Sequence, residues 1–150
     1  MPQSLSRILV HLIFSTKNRE PFLVPEIRTE LYSYLAGVLR EEECPALQVG
    51  GVADHVHLLF GLSRTRTVAQ VVEQVKTSSS KWIKPRGQAF AGFHWQAGYG
   101  AFSVSPGHVE VLKEYIRNQE KHHRAESFQD EFRRLCKKYG IEIDERYVWD

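Results

Sequence analysis

The sequence contains little cysteine: only Cys44 and Cys136 occur among its 150 residues. They stand far apart, without the CxxC spacing of zinc clusters and without further cysteines that would indicate a disulfide framework. Two isolated cysteines are typical of proteins of the reducing cytosol. The sequence therefore indicates neither a cysteine-based zinc cluster nor disulfide staples.

Long apolar segments are also missing. No run of apolar residues approaches the roughly 18 that a membrane-spanning helix requires. The N-terminus lacks the basic-then-apolar pattern of a secretory signal. We therefore expect a soluble, cytoplasmic protein with no membrane partner.

Neither sign of charge dominates the chain. Lysine and arginine number 20 against 18 acidic residues, which gives a formal net charge of +2. A chain with this balance is not a polybasic nucleic-acid binder, so any contact with nucleic acid must come from local basic patches. The length favours one domain over residues 1–150, with a core that needs no metal or disulfide for stability.

The most informative stretch is Asp54-His55-Val56-His57-Leu58-Leu59-Phe60, which reads as a β-strand. Because alternate residues of a strand point to opposite faces, His55 and His57 share one face and the apolar residues take the other. Two imidazoles about 6–7 Å apart along a strand make half of a metal site. The pattern also fits two polar residues on a solvent-facing strand, and alone it leaves both interpretations open.

The remaining patterns predict the element order β-α-β-β-α-β, followed by further helices. β-Branched and apolar runs indicate strands, and apolar residues spaced three or four apart indicate helices. The predicted strands are residues 8–14, 47–52, 54–60 and 93–105, and the predicted helices are 25–40, 67–83, 106–121 and 127–140. This order predicts an α+β fold, a ferredoxin-like or RRM-like split βαβ antiparallel sheet with helices on one face and added C-terminal helices.

Basic side chains concentrate at the end of the second predicted helix. In residues 76–86 they alternate with hydroxyl groups and an indole, a composition that suits phosphate contacts and base stacking. The alternative is an ordinary helix C-terminus with favourable cations. The candidates for nucleic-acid contact are Lys76, Lys81, Lys84 and Arg86 in this segment, and Lys17 and Arg19 in the predicted loop 15–21, which are otherwise free to meet water.

Several other polar residues have ordinary explanations. His11 is expected to be a packed residue of the first strand, and His122 and His123 are expected to be surface groups near a helix end. Asp54 fits a turn residue before the His-x-His strand, although it is also close enough in sequence to orient His55 from behind.

A second pair of interest lies on the third predicted helix. Tyr115 and Gln119 are four residues apart, so their side chains face the same place on a helix surface. Taken alone, such a pair is an ordinary surface feature. It gains weight beside the His-x-His strand and the glycine-rich predicted strand.

Four motifs occur in a fixed order along nearly the whole chain. They are Asp54-His55-Val56-His57-Leu58-Leu59, Trp95-Gln96-Ala97-Gly98-Tyr99-Gly100-Ala101-Phe102-Ser103-Val104, Tyr115-Ile116-Arg117-Asn118-Gln119 and Arg146-Tyr147-Val148-Trp149. Together they resemble the single-tyrosine HUH transposases of small bacterial insertion sequences, which include the REP-associated tyrosine transposases. HUH denotes His-hydrophobic-His.

The resemblance implies a metal-dependent DNA strand transferase. By it, His55, His57 and Gln119 would bind Mg²⁺ or Mn²⁺, and Tyr115 would be the nucleophile. Such an enzyme cleaves and rejoins single-stranded DNA at insertion-sequence ends through a 5′-phosphotyrosine intermediate. The resemblance also implies a homodimer that holds DNA hairpins at the element ends.

Two other functions stay open at this point. A host-adapted protein that processes repeated palindromes would use the same chemistry. A non-catalytic single-stranded nucleic-acid-binding module on a ferredoxin-like sheet would stack bases on aromatic side chains instead. No general base is identifiable in the sequence, and it leaves open whether the tyrosine acts on its own subunit's site or on a partner's.

Overall fold

The computed structural model describes residues 2–150, and a four-stranded antiparallel sheet lies at its centre. The strands are β1 (Ile8–Ser15), β2 (Ala46–Gly51), β3 (His55–Leu62) and β4 (Gly100–Val104), in the spatial order β2-β3-β1-β4. β1 and β3 pair along their whole lengths, with Ile13 opposite His57. These two strands are central and almost completely buried on both faces, one face being apolar and the other carrying three histidines among apolar residues.

Five α-helices surround the sheet: α1 (Pro25–Glu41), α2 (Val68–Ile83), α3 (Val109–Arg117), α4 (Gln119–His122) and α5 (Phe128–Lys138). Thr67 begins α2 with a capping box to Gln70. Ser127 begins α5, and its hydroxyl accepts a hydrogen bond from the backbone N–H of Asp130. Within residues 2–150, no helix combines the length and the apolar character that a bilayer-spanning segment requires.

The helices cover the two faces of the sheet unequally. α1 and α2 pack on the face that carries Leu12, Leu58 and Phe60, and form the larger core. α3 and α5 cover the opposite face in two smaller clusters, one around Leu59 and one around Phe102. The predicted fold class is confirmed, because the two long helices share one face and the added C-terminal helices lie on the other.

Two predicted boundaries are wrong. The predicted strand 93–105 becomes a strand only at Gly100. Before that point the backbone N–H of Ser15 donates to the side-chain carbonyl of Gln96, at 2.8 Å, and not to a neighbouring strand. The predicted helix 106–121 begins with a 3₁₀ turn and is interrupted at Asn118, whose φ and ψ of −96° and 22° are not helical.

Gly50 sets the distance between α3 and the sheet. A β-carbon at this position would lie 2.9 Å from both Cγ2 and the carbonyl oxygen of Ile116, closer than such atoms pack. α3 therefore approaches β2 at a point where only glycine fits. This contact positions the residue that precedes Ile116, which is Tyr115.

Candidate metal and nucleophile site

His55 and His57 lie side by side on β3, on the face that α3 and α5 cover. Both side chains are fully buried, which excludes a solvent-facing strand surface. Their ring centroids are 5.2 Å apart, a spacing set by the two-residue repeat of the strand. Because β3 pairs with β1 on one side and β2 on the other, the sheet holds both imidazoles in place.

Glu131 of α5 lies at the centre of the site, and the sequence analysis did not identify it. Its carboxylate is fully buried. The Oε1 atom accepts hydrogen bonds from His57 Nε2 and His123 Nε2, each at 3.0 Å, and lies 3.3 Å from His55 Nε2. The one feature of the sequence that could have revealed Glu131 is its place on the apolar side of a predicted helix. An acidic residue is buried there only when it is paired with a cation or a hydrogen-bond donor.

The first residue of α4, Gln119, and the residue that follows its end, His123, contribute two further side chains. Gln119 is buried, its Oε1 is 3.1 Å from His55 Nε2, and its Nε2 donates to Glu131 Oε2 at 3.2 Å. The structure thus brings the predicted ligand Gln119 to the histidines. The expectation that His123 is a surface group is wrong: only 9% of its side chain is exposed, because α5 folds back over it and supplies the Glu131 carboxylate.

The charges in the cluster balance one another. Burial alone would raise the pKa of the Glu131 carboxyl, but His57, His123 and His55 hold that pKa well below its usual range. Burial alone would lower the pKa of His55, yet its hydrogen bonds to Asp54 and Glu131 raise it to about 9. Burial lowers the pKa of His57. The raised pKa of His55 therefore pairs an imidazolium with the Glu131 carboxylate at neutral pH, as a buried charge requires.

A second layer of residues fixes the orientation of both imidazoles. His55 Nδ1 donates to Asp54 Oδ1 at 2.7 Å, so Asp54 both precedes the strand and holds the ring. His57 Nδ1 lies 2.7 Å from Nε2 of His11, which is buried in β1 as expected. Since each Nδ1 is engaged behind the site, each Nε2 faces the cluster. This is how proteins commonly orient histidines that bind metals.

Tyr115 reaches the same carboxylate from α3. Its hydroxyl donates to Glu131 Oε2 and accepts a hydrogen bond from Arg134 Nη2 at 2.8 Å. Burial and the nearby Glu131 charge raise the pKa of the Tyr115 phenol, while Arg134 acts in the opposite direction. The Tyr115 ring lies edge-on to His57, with centroids 5.9 Å apart. The tyrosine and the histidine pair therefore meet within a single chain.

The donor atoms suit a divalent cation. One ligand atom from each of His55, His57, His123 and Glu131 lies within 4.8 Å of the others. Opposite ligands of an octahedral Mg²⁺ or Mn²⁺ ion are about 4.2 Å apart, so small side-chain movements would close the site. An ion would replace the protons that now link the imidazoles to Glu131. These four residues, with the amide oxygen of Gln119, could hold such an ion.

Among the predicted DNA contacts, Lys76 has a structural task. Its ammonium group donates to three backbone carbonyls, those of Gln96, Ala97 and Gly98, at 2.8, 3.3 and 2.6 Å. It also lies 5.0 Å from the ring centroid of Phe14. An ammonium has three N–H donors, and all three serve to hold the loop before β4.

The structure does not bring the other basic candidates into the metal site. Arg86 lies over the Trp82 ring at 3.9 Å and pairs with Glu30. Arg19 donates to the carbonyl of Trp149 at 3.2 Å. Lys17 and Lys81 are exposed, and Lys84 is half-buried. DNA contact by Lys17, Arg19, Lys81, Lys84 and Arg86 stays a prediction.

Comparison with protein families gives one match of direct relevance. Residues 4–119 match the family described as "Transposase IS200 like". The matched range includes the histidine pair, Tyr115 and Gln119, and ends before His123 and α5.

Individual proteins are similar to the chain over most of its length. The ISDra2 transposase TnpA of Deinococcus radiodurans is 24% identical over 114 residues, which cover 73% of this chain and 81% of that protein. A putative transposase from Deinococcus radiodurans R1 superposes with a TM-score of 0.62 at 24% identity, over 79% of this chain and 98% of that chain. A REP-associated tyrosine transposase bound to a REP hairpin superposes with a TM-score of 0.59 at 12% identity, over 82% of this chain and 74% of that chain. These two superpositions indicate a shared fold.

Proposed function

The chain belongs to the IS200-like transposase family, and on that premise we propose that it cleaves and rejoins single-stranded DNA at insertion-sequence ends. In this proposal Tyr115 is the nucleophile and a 5′-phosphotyrosine is the intermediate. The cofactor is a divalent ion, Mg²⁺ or Mn²⁺, and the DNA carries hairpins at the element ends. The similar fold of a transposase bound to a REP hairpin supports hairpin DNA as the partner.

One observation carries the proposal: the tyrosine and the histidine pair converge on the same buried carboxylate. Glu131 Oε1 faces the imidazoles, and Glu131 Oε2 accepts the hydrogen bond of the Tyr115 phenol. A nucleophile and a set of metal donors thus meet across one carboxyl group. Base stacking by a non-catalytic binding module would not require this arrangement.

We assign the metal to His55, His57 and Gln119, with His123 and Glu131 as additional donors. Bound there, the ion would supply Lewis-acid chemistry by polarising the scissile phosphate. The imidazole-rich donor set favours Mn²⁺ over Mg²⁺, because Mg²⁺ prefers oxygen ligands. Asp54 and His11 keep the Nε2 atoms turned toward the centre of the site.

The Tyr115 oxygen attacks the phosphorus as the phenol passes its proton to Glu131 Oε2, which accepts its hydrogen bond. A P–O bond to Tyr115 forms, and the bond from phosphorus to the 3′ oxygen breaks. The departing oxygen takes up a proton to give a free 3′-OH, and the 5′ end of the cut strand remains on the protein. Because the phosphotyrosine is itself a phosphodiester, a second 3′-OH can reverse the attack and join strands.

The proposal is tested by mixing the protein with labelled single-stranded DNA that carries the palindromes flanking its gene. With Mn²⁺, a denaturing gel should show a protein–DNA adduct that disappears in EDTA and in Tyr115→Phe. Tyr147→Phe is the matched control, because Tyr147 is an exposed tyrosine outside the site. An adduct that persists in Tyr115→Phe would reject Tyr115 as the nucleophile. DNA binding without an adduct in either Mn²⁺ or Mg²⁺ would favour the binding-module function.

A further inference from the structure

Arg134 makes direct contact with the oxygen that the proposed function assigns as nucleophile. Its Nη2 donates to the Tyr115 hydroxyl at 2.8 Å, and its guanidinium carbon lies 5.7 Å from the Tyr115 ring centroid. Arg134 belongs to α5, beyond the residues that the family match covers. The contact thus depends on a helix outside the matched region.

Glu126 holds the guanidinium in place. Arg134 Nε donates to Glu126 Oε2 at 3.0 Å, and Nη2 donates to Glu126 Oε1 at 2.9 Å. This two-point pairing raises the pKa of Arg134 above its already high usual range, so the group stays cationic. A fixed bidentate pair loses little side-chain freedom when a further bond forms. The guanidinium is therefore preorganised toward the phenol.

The adjacent arginine provides the contrast. Arg133 pairs with Glu145 and Asp130 and lies over the Trp149 ring at 5.0 Å. It has the same charge on the same helix and is similarly exposed, but makes no bond to Tyr115. Any effect of net charge, or of arginine content in α5, must therefore be the same for both residues.

We propose that Arg134 is a further catalytic residue, which stabilises the negative charge that develops on the Tyr115 oxygen as it attacks phosphorus. This inference rests on the proposed function. In that step the phenol proton passes to Glu131 Oε2, the P–O bond to Tyr115 forms, and the P–O bond to the 3′ oxygen breaks, with the departing oxygen taking up a proton from water. The Arg134 N–H already points at the reacting oxygen, so no reorganisation is needed when its charge increases.

The test measures single-turnover adduct formation at saturating DNA and Mn²⁺. We expect Arg134→Gln to lower the rate about 100-fold, the usual effect of losing one donor to a developing oxyanion. Arg134→Lys should recover part of the rate, and Arg133→Gln should stay within about two-fold of the unmodified protein. DNA affinity, measured by fluorescence anisotropy, and Mn²⁺ affinity should be unchanged in Arg134→Gln.

Chemical rescue separates a catalytic role from a structural one. Added methylguanidinium should restore adduct formation in Arg134→Ala but not in Tyr115→Phe. The inference is overturned if Arg134→Gln and Arg133→Gln react at the same rate, or if the loss in Arg134→Gln is matched by a loss of DNA affinity. If the unmodified protein itself forms no adduct, the proposed function fails first, and the two failures are distinguishable.

Discussion

At the scale of single residues, Glu131 connects the two halves of the site. One carboxylate oxygen faces three imidazoles, and the other accepts the phenol proton of Tyr115. The buried carboxylate is stable because cationic and neutral N–H donors surround it. Its Oε1 lies where the imidazole nitrogens converge, so this oxygen could join them as a ligand of a bound ion.

Asp54 provides a residue-scale prediction about metal affinity. Asp54→Asn keeps the size of the side chain but removes the charge that orients His55 and makes it more basic. We expect Mn²⁺ affinity to fall about 10-fold or more, as for other partners of metal-binding histidines. Titration of the purified variant followed by electron paramagnetic resonance of free Mn²⁺ measures this.

Asp144→Asn is the control for that experiment. Asp144 is a surface carboxylate that pairs with Arg146, away from the site. The Mn²⁺ affinity of the Asp144→Asn variant should match that of the unmodified protein. Equal affinities in all three proteins would show that Asp54 does not support the metal ligand.

His11 provides a residue-scale prediction about pH. Burial, together with the adjacent His57, lowers the pKa of His11 to about 3 from an ordinary value of 6.5. Below pH 6.5 the unfolded chain takes up a proton at His11 that the folded chain does not, so stability is lost as pH falls toward 3. The contribution is roughly 3 kcal/mol between pH 6.5 and pH 4.

Urea unfolding in EDTA across this range should therefore show a steeper loss of stability for the unmodified protein than for His11→Gln. Glutamine does not titrate and retains an amide that can donate to His57. Parallel pH profiles for the two proteins would contradict a neutral, buried His11.

The sequence predicted the proximity of candidate residues that lie only a few positions apart. His55 and His57 share a face because they are two apart on a strand, and Tyr115 and Gln119 lie close because they are four apart, although the helix is interrupted between them at Asn118. Glu131, His123 and Arg134 were missed because their relation to the histidines depends on how α5 folds back over the sheet. The spacing of residues along the chain does not predict how α5 folds back. A lone carboxylate on the apolar side of α5 did indicate that Glu131 is buried against a paired group.

At the scale of elements, the contact between α3 and β2 positions Tyr115, the proposed nucleophile. Gly50→Ala would place a methyl group 2.9 Å from the Ile116 side chain and carbonyl oxygen, so α3 must move and carry Tyr115 with it. We expect adduct formation to slow by about 10- to 100-fold, because displacements of about 1 Å in a reacting group cost that much. Adduct rates measured beside thermal unfolding test this.

Gly37→Ala is the matched substitution. Gly37 lies inside α1 with no atom within 4 Å of its added β-carbon. Alanine there should stabilise the helix by about 0.5–1 kcal/mol and leave the adduct rate unchanged. If both variants react at the rate of the unmodified protein, the position of α3 does not depend on Gly50.

The start of β4 was least predictable because side chains supply part of the hydrogen bonding before it. Residues 94–96 bond to residues 15–17 through the backbone, but Gln96 Oε1 accepts the N–H of Ser15 and the Lys76 ammonium donates to the carbonyls of residues 96–98, so the strand begins only at Gly100. Lys76 was expected on a DNA-binding surface because its carbonyl partners are 20 or more residues away in the chain, and the sequence does not reveal them.

At the scale of the whole molecule, the site is assembled from both the sheet and the layer of C-terminal helices. His57 and Tyr115 of one chain are already adjacent, with ring centroids 5.9 Å apart. The structure therefore predicts that Tyr115 acts at the metal site of its own chain, even within the homodimer that we predict from the family resemblance.

Mixing two inactive variants tests that prediction. Tyr115→Phe retains the metal ligands, and the double variant His55→Ala/His57→Ala retains the tyrosine. We expect no adduct from the mixture after co-expression or subunit exchange. Recovery of adduct formation toward half the unmodified level would show that the tyrosine reaches the partner's site.

The most direct test of the proposed tyrosine chemistry is to identify the atom to which DNA becomes attached. The Mn²⁺-dependent adduct, digested with protease and nuclease, should yield one modified peptide by tandem mass spectrometry. We expect a nucleotide linked through its 5′ phosphate to Tyr115, with a free 3′-OH on the released fragment. Attachment to another residue, or through a 3′ phosphate, would contradict the assignment of this site as a tyrosine transferase centre.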